Sequence, residues 1–214
     1  DYIVHRRAAG REHEPLAADA AVVPVSIESR LLAVPGDVYL SRGHSWVRPR
    51  RDRTVRVGAG RLPLHALGPP DALQLPPVGT RVHAGAALVT LSRGARRLTL
   101  RSPVDGRIES INREALARPQ RVGRRPYDRG WLCTVRPTDL SRALRELLVA
   151  EEATDWLRRE LGRLRDLVSG LAQPAAAAVP LRLDGGVPVE GLAGLLDEAQ
   201  WGEVQSFFDR PSGD

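Results

Sequence analysis

The sequence predicts a mainly β protein, a sandwich or barrel of short strands, extended at its C-terminal end by amphipathic helices. Two patterns carry this expectation. From Asp37 onward, short alternating runs are separated by Gly and Pro corners at the ~8–12-residue spacing of all-β domains. After Pro137 the apolar period changes from that of a strand to that of a helix. A chain of 214 residues can hold one good core plus appendages. Aromatics are only 4% of it, so that core must be built mainly from Leu, Val and Ala.

Residues 8–36 show little periodicity before Val22-Val23-Pro24-Val25-Ser26-Ile27, a candidate edge strand, and Pro15, Pro24 and Pro35 interrupt any helix. Val38-Tyr39-Leu40 then leads to His44-Ser45-Trp46-Val47-Arg48, a turn through 49–53, and the alternating Thr54-Val55-Arg56-Val57-Gly58. Three segments that join strand to glycine turn follow, at 73–80, 81–91 and 98–108. Beyond Pro137, Thr138 to Ser141 offers capping residues for a helix whose stripe is Leu144, Leu147 and Leu148. A second helical run from Ala150 to Leu171 sets Trp156, Leu157, Leu161, Leu164, Leu167 and Val168 against a face of Arg and Glu. The tail has a turn at Asp184-Gly185-Gly186 and a short amphipathic helix carrying Leu192, Leu195, Leu196, Trp201, Val204, Phe207 and Phe208. It is too small to fold alone, so it either docks on the β domain or serves as a partner-binding hook. The expected organisation is a juxtamembrane segment and linker (1–36), a β domain (37–140), helices (141–172), a linker (173–180) and a tail (181–214).

All 32 basic side chains are arginine; the chain has no lysine and no methionine. Compositional bias of the source genome accounts for this, but the chemical consequence stands whatever its origin. The formal charge of +6 favours acidic partners or anionic surfaces only mildly, because the arginines are spread along the chain. Nucleic-acid binding is disfavoured, since no recognisable module or stacking aromatics accompany the charge. One cysteine excludes an internal disulfide and any multi-cysteine metal site. Cys133 alternates with Trp131 and Val135 and reads as a buried small hydrophobe. His5, His13, His44, His65 and His83 show no ligand spacing with acids or Cys133, so no metal is expected. No phosphate loop occurs, and Gly58-Ala59-Gly60 lacks the rest of a nucleotide fingerprint. No catalytic residue is identified. At the N-terminus, Tyr2-Ile3-Val4 followed by Arg6, Arg7 and Arg11 has the pattern of a membrane-helix exit on the cytoplasmic side, with an ordinary terminus as the competing reading.

Several runs together resemble the glycine cleavage H-protein family. Gly43-His44-Ser45-Trp46-Val47-Arg48 matches the family's His-x-Trp strand, and Val57-Gly58 opens a segment that ends Ala66-Leu67-Gly68. Leu75-Pro76-x-Val78-Gly79-Thr80 and Ser102-Pro103-Val104-x-Gly106 follow at family spacing. Asn112, Leu116 and Pro119 precede Pro126-Tyr127-x-x-Gly130-Trp131-Leu132, one of the most distinctive runs. The likeness covers roughly residues 37–155 and implies a barrel-sandwich hybrid, the lipoyl-domain-like fold, with a lipoyl group carried on one lysine. Counting back from Ser102 along the family's Glu-Ser-x-Lys-Ala run puts Ser92 at the Glu, Arg93 at the Ser and Ala95 at the lysine. Attachment needs an amine as nucleophile. Ala95 offers none and no neighbouring lysine can substitute, so no cofactor is expected.

Around that degenerate position Arg93, Arg96, Arg97 and Arg101 crowd the hairpin, with Arg97, Thr99 and Arg101 on one face opposite Leu98 and Leu100. They form either a solvated polar face or a docking edge for an acidic protein surface or anionic lipid, for which bidentate arginine is suited. With Trp201, Phe207 and Phe208 they make the candidate interaction surface. The expected function is a non-lipoylated, pseudo-carrier adaptor in a larger protein assembly, tethered to the cytoplasmic side of a membrane by a helix outside this chain. The alternative is an unlipoylated regulator or component that docks on the enzymes of the glycine cleavage system. An acyl-transfer or lipoate-handling enzyme is disfavoured by the lack of a nucleophile–base pair.

Overall fold

A computed structural model describes residues 27–171 and 191–210. The alternation read from Asp37 becomes β1 (Tyr39–Leu40), β2 (Ser45–Pro49) and β3 (Val55–Ala59), each antiparallel to the next. Further strands are β4 (Ala72–Gln74), β5 (Arg81–Val82), β6 (Ala87–Arg93), β7 (Arg96–Arg101), β8 (Gly106–Ile111), β9 (Trp131–Pro137) and β10 (Leu148–Val149). They make two antiparallel sheets, one in the order β10-β1-β2-β3-β9-β8-β5 and the other β4-β6-β7. The larger sheet ends on β10 and β5 and does not close into a barrel. Leu91, Leu98, Leu100, Val57, Ile108 and Val135 are essentially inaccessible and belong to one continuous core spanning both sheets.

Close approach decides the pairing of β2 with β3. Trp46 stands opposite Gly58, and any Cβ on Gly58 would overlap the indole, so glycine is the residue that lets this large side chain lie flat on its neighbour strand. Next to it the register between β3 and β9 shifts, a bulge between Val57 and Gly58. Trp131 is half-buried on β9, whereas Cys133 and Val135 beside it are buried. Burial pushes the Cys133 thiol up to about 12, which keeps it a neutral hydrophobe.

Among the described residues six α-helices accompany the sheets: α1 (Ile27–Leu32), α2 (Arg61–Leu67), α3 (Arg113–Ala117), α4 (Leu140–Arg145), α5 (Ala150–Leu171) and α6 (Glu198–Asp209). Helix α5 has the bounds its periodicity predicts, and Ala153, Trp156, Leu157, Leu161, Leu164 and Val168 are its buried stripe. The helix expected to carry the stripe Leu144, Leu147 and Leu148 stops at Arg145. Leu148 and Val149 instead form β10 and pair with Leu40 and Tyr39, because the free edge of β1 offers those residues ladder bonds and burial together. Helix α2 has no counterpart in the sequence reading. Seven residues bounded by Gly60 and Gly68 and containing Pro63 are too few to show a helical period. The edge strand expected at Val22–Ile27 lies outside the described residues except for Ile27, which begins α1. The juxtamembrane pattern at Tyr2–Arg11, the 173–180 linker and the turn at Asp184-Gly185-Gly186 also lie outside them. Among the described residues no helix is long and apolar enough to cross a membrane.

Asn112, singled out in the sequence, ties this end of the sheet together. Its Oδ1 accepts from the amides of Glu114 and Ala115 at the start of α3, and its Nδ2 donates to the carbonyls of Arg129 and Trp131 at 3.1 and 2.7 Å. One buried side chain thus caps a helix and anchors the start of β9.

Candidate functional site

Strands β6 and β7 form a hairpin whose two-residue turn is Gly94-Ala95, flanked by the pair Arg93–Arg96. Gly94 takes φ +57, which glycine adopts without strain in the first position of a tight hairpin turn. Its amide donates to Asp71 Oδ2 at 2.6 Å, while the amide of Asp71 donates to the carbonyl of Ser92 at 2.8 Å. The turn is therefore held to β4 and not left to swing. Ala95 is exposed at its tip.

The four arginines of the candidate surface divide by what they touch. Arg93 Nη1 donates to the carbonyl of Leu67 at the end of α2, at 3.2 Å. Arg96 Nη2 donates to the carbonyl of Leu196, just ahead of α6, at 2.6 Å. Arg101 donates through Nε and Nη2 to the carbonyl of Asp209, the last residue of α6, and through Nη1 to that of Gly85 at 2.7 Å. Arg97 is the exposed member. The predicted alternation holds, with Leu98 and Leu100 buried and Arg97, Thr99 and Arg101 on the other face.

Arg96 and Arg101 stand at the two ends of β7 and fasten the two ends of the tail helix. The geometry is commensurate. Five strand rises at ~3.3 Å give roughly 17 Å, and the thirteen helical rises from Leu196 to Asp209 give roughly 20 Å at ~1.5 Å each. Helix α6 begins with a capping box between Asp197 and Gln200, and Trp201, Val204 and Phe208 are its buried face. The tail thus docks on its own domain, running along the second strand of the hairpin. Trp201 and Phe208 lie inside that contact at 3% and 1% exposure, and Phe207 is half-buried beside them.

Where α6 meets α5 and β2, sequence reasoning missed a buried polar pair. His44, at φ +60 just ahead of β2, packs its ring 5.1 Å from Trp156 and 4.8 Å from Phe208, edge-on to the latter. Its Nε2 is 3.5 Å from Glu160 Oε2, a contact rather than a hydrogen bond. Glu160 is 2% exposed on the apolar side of α5, and Arg163 Nη1 donates to its Oε1 at 2.7 Å. The Arg163 guanidinium also sits over the ring of Phe207, 5.2 Å from its centroid. A Glu at an inward helical position next to Arg at i+3 was the available signal, but nothing local names His44 as the third member.

Among the described residues no group of three or more His, Cys, Asp or Glu is placed to hold a metal ion. The residues at the hairpin tip do not fit a lipoyl group either. Ala95 has no nucleophile, and the nearest basic groups are guanidinium ions that stay protonated.

The glycine cleavage H-protein family model matches residues 38–160. The glycine cleavage system H protein of Methylococcus capsulatus is 36% identical over 118 residues, covering 55% of this chain and 91% of that protein. That of Mycobacterium avium is 36% identical over 121 residues, covering 92% of its length. In three dimensions the chain is similar to the crystal structure of a glycine cleavage system H protein from Mycobacterium marinum, with TM-score 0.51, 34% identity, and 57% of this chain and 98% of that one covered. The lipoyl-domain-like fold is thereby shown, and α6 together with residues 161–171 of α5 lies beyond the matched segment. The chain belongs to the glycine cleavage H-protein family.

Proposed function

We propose that this chain is a non-lipoylated, H-protein-like adaptor, a binding subunit of a larger protein assembly and neither a swinging-arm carrier nor an enzyme. The single observation behind this reading is Ala95 at the exposed tip of a well-formed hairpin, in a chain without a lysine anywhere. The turn geometry is kept while the attachment chemistry is gone, which favours retention of the scaffold for its surfaces. The outward face of the hairpin, with Arg97 and the Gly94-Ala95 turn, is the part of the candidate surface that a protein partner with acidic groups can reach. Intact-mass spectrometry of the protein purified from its native source tests the reading: an unmodified mass is expected, and a lipoyl or biotinyl adduct overturns it.

Family membership favours a second reading, in which the partner belongs to the glycine cleavage system itself. Pull-down against the decarboxylase and the aminomethyltransferase separates the two: capture supports a regulator that occupies the carrier's docking site, and its absence leaves the adaptor in a different assembly. The membrane tether forms part of the first reading on the strength of the Tyr2–Arg11 pattern alone. Fractionation of the natural full-length product tests it, and recovery away from the membrane pellet removes it.

A further inference from the structure

On helix α2, Arg61 and His65 are one turn apart and each has a buried nitrogen, Nε and Nε2 respectively, without a hydrogen-bond partner. Unsatisfied buried donors are uncommon and call for an explanation. Both residues line the same cavity of about 480 Å³, which lies between α1, α2, the 3-10 turn Pro119–Arg124 and the start of the tail at Gly191. Arg30 and Arg124 line it as well, and Gln120 adds an amide. Among the described residues no carboxylate lines it.

The contrast with the adjoining cavity is informative. That one shares Arg61 and Arg124 and adds Arg48 and Arg125. Arg48 pairs with Asp37 at 2.8 Å and Arg125 with Asp128 at 3.9 Å, so these two arginines carry their own counter-charges. Among its described lining residues the first cavity gathers three guanidinium groups and no counter-charge. Arg61 is also held in place by the face of Tyr127, its guanidinium carbon 5.4 Å from the ring centroid. Stacking of this kind preorganises the fork without using its N–H donors, which lowers the ordering cost of binding. The volume falls in the range of small-molecule sites, roughly 300–1,000 Å³, and Leu31 and Leu64 give part of the wall an apolar character.

We propose that this cavity binds a small organic phosphate, with Arg61, Arg124 and Arg30 taking the phosphate oxygens and His65 supplying or accepting one further hydrogen bond. A phosphate ester carries about −1.5 to −2 charges at neutral pH and three strong acceptor oxygens. It therefore matches three guanidinium groups better than a single carboxylate does. The site is separate from the hairpin and stands whether or not the adaptor reading does.

Isothermal titration of the full chain with inorganic pyrophosphate at physiological ionic strength tests this, with citrate as the polycarboxylate arm. Saturable one-site binding of pyrophosphate is expected. It should weaken at least tenfold in Arg61→Gln and in Arg124→Gln and stay unchanged in Arg159→Gln, an exposed arginine on α5 away from the cavity lining. Arg124 is exposed, so its variant keeps the test valid should Arg61→Gln disturb packing against Tyr127. Amide shifts of Gly68 and Gly191 on titration should localise the site, since both line the cavity. Equal weakening in Arg159→Gln, absence of saturable binding at millimolar pyrophosphate, or binding of citrate alone would each overturn the proposal.

Discussion

The guanidinium of Arg101 donates to the carbonyl oxygen of Asp209 through both Nε, at 3.2 Å, and Nη2, at 2.7 Å, although 108 residues separate the two. The same side chain reaches the carbonyl of Gly85 through Nη1. One arginine of the hairpin therefore clamps the C-terminal end of the tail helix to the loop ahead of β6. This residue lies on the polar face of β7, and the chain turns it inward onto its own tail.

Removing that clamp should release the tail without unfolding the sheets. Arg101→Ala is expected to cost about 1–3 kcal/mol, the range for hydrogen bonds from a charged donor in a partly buried setting. Limited proteolysis should then cut ahead of α6 faster than in the parent. Arg101→Lys should rescue little, since a single ammonium does not reproduce the fork that serves two carbonyls. Parent-like proteolysis of Arg101→Ala would mean that the clamp is incidental.

Phe208 fills the junction between α6, α5 and His44 at 1% exposure. Phe208→Ala should lower stability by about 3–5 kcal/mol, the cost of a large cavity in a well-packed core. Chemical denaturation reads this directly. A change below about 1 kcal/mol would show that the tail leaves its dock in solution, because surface substitutions cost no more than that.

Gly58 makes a sharper test of the sheet. A methyl group there would have to displace Trp46, which is fully buried and further constrained by Tyr127 at a 5.9 Å centroid distance. Gly58→Ala should cost about 3 kcal/mol, the upper end for overpacking, and should change the near-UV signal of the indole. The double variant Gly58→Ala with Trp46→Leu should recover part of the loss, since the two effects share one space.

Burial holds the His65 imidazole below its usual value in the folded chain. The unfolded chain therefore binds the proton more readily, and stability should fall as pH drops through the ordinary imidazole value near 6.5 towards the lower folded value. It should level off once both states are protonated. His65→Gln should flatten that part of the pH–stability curve measured by thermal melts. An unchanged slope would assign the acid sensitivity to other groups.

Much of the fold was legible because its signals are local. The Gly and Pro corners mark the strands, and the bounds of α5 follow from an amphipathic period sustained over 22 residues. Asn112 was visible as one of the family-like residues ahead of a distinctive run, although its double role on α3 and β9 was not. Helix α2 escaped because seven residues between glycines do not span enough turns to display a period. The fate of Leu148 escaped for a different reason: a leucine in a helical stripe and a leucine on a strand edge look alike until Leu40 is brought opposite it.

The sequence by itself determined the chemistry that is excluded. The 214 residues contain no lysine, so no folding of them can present a lysine amine. What only the tertiary structure decided is which groups the arginines engage. That Arg96 and Arg101 fasten α6 along β7, that Glu160 is buried against His44, and that three arginines line one cavity all depend on contacts between distant segments. The physical reason is the acceptor. A guanidinium that bonds a main-chain carbonyl leaves no mark on its partner's identity, because every residue carries that oxygen. Composition therefore disclosed which group is absent, and packing disclosed where the arginines went.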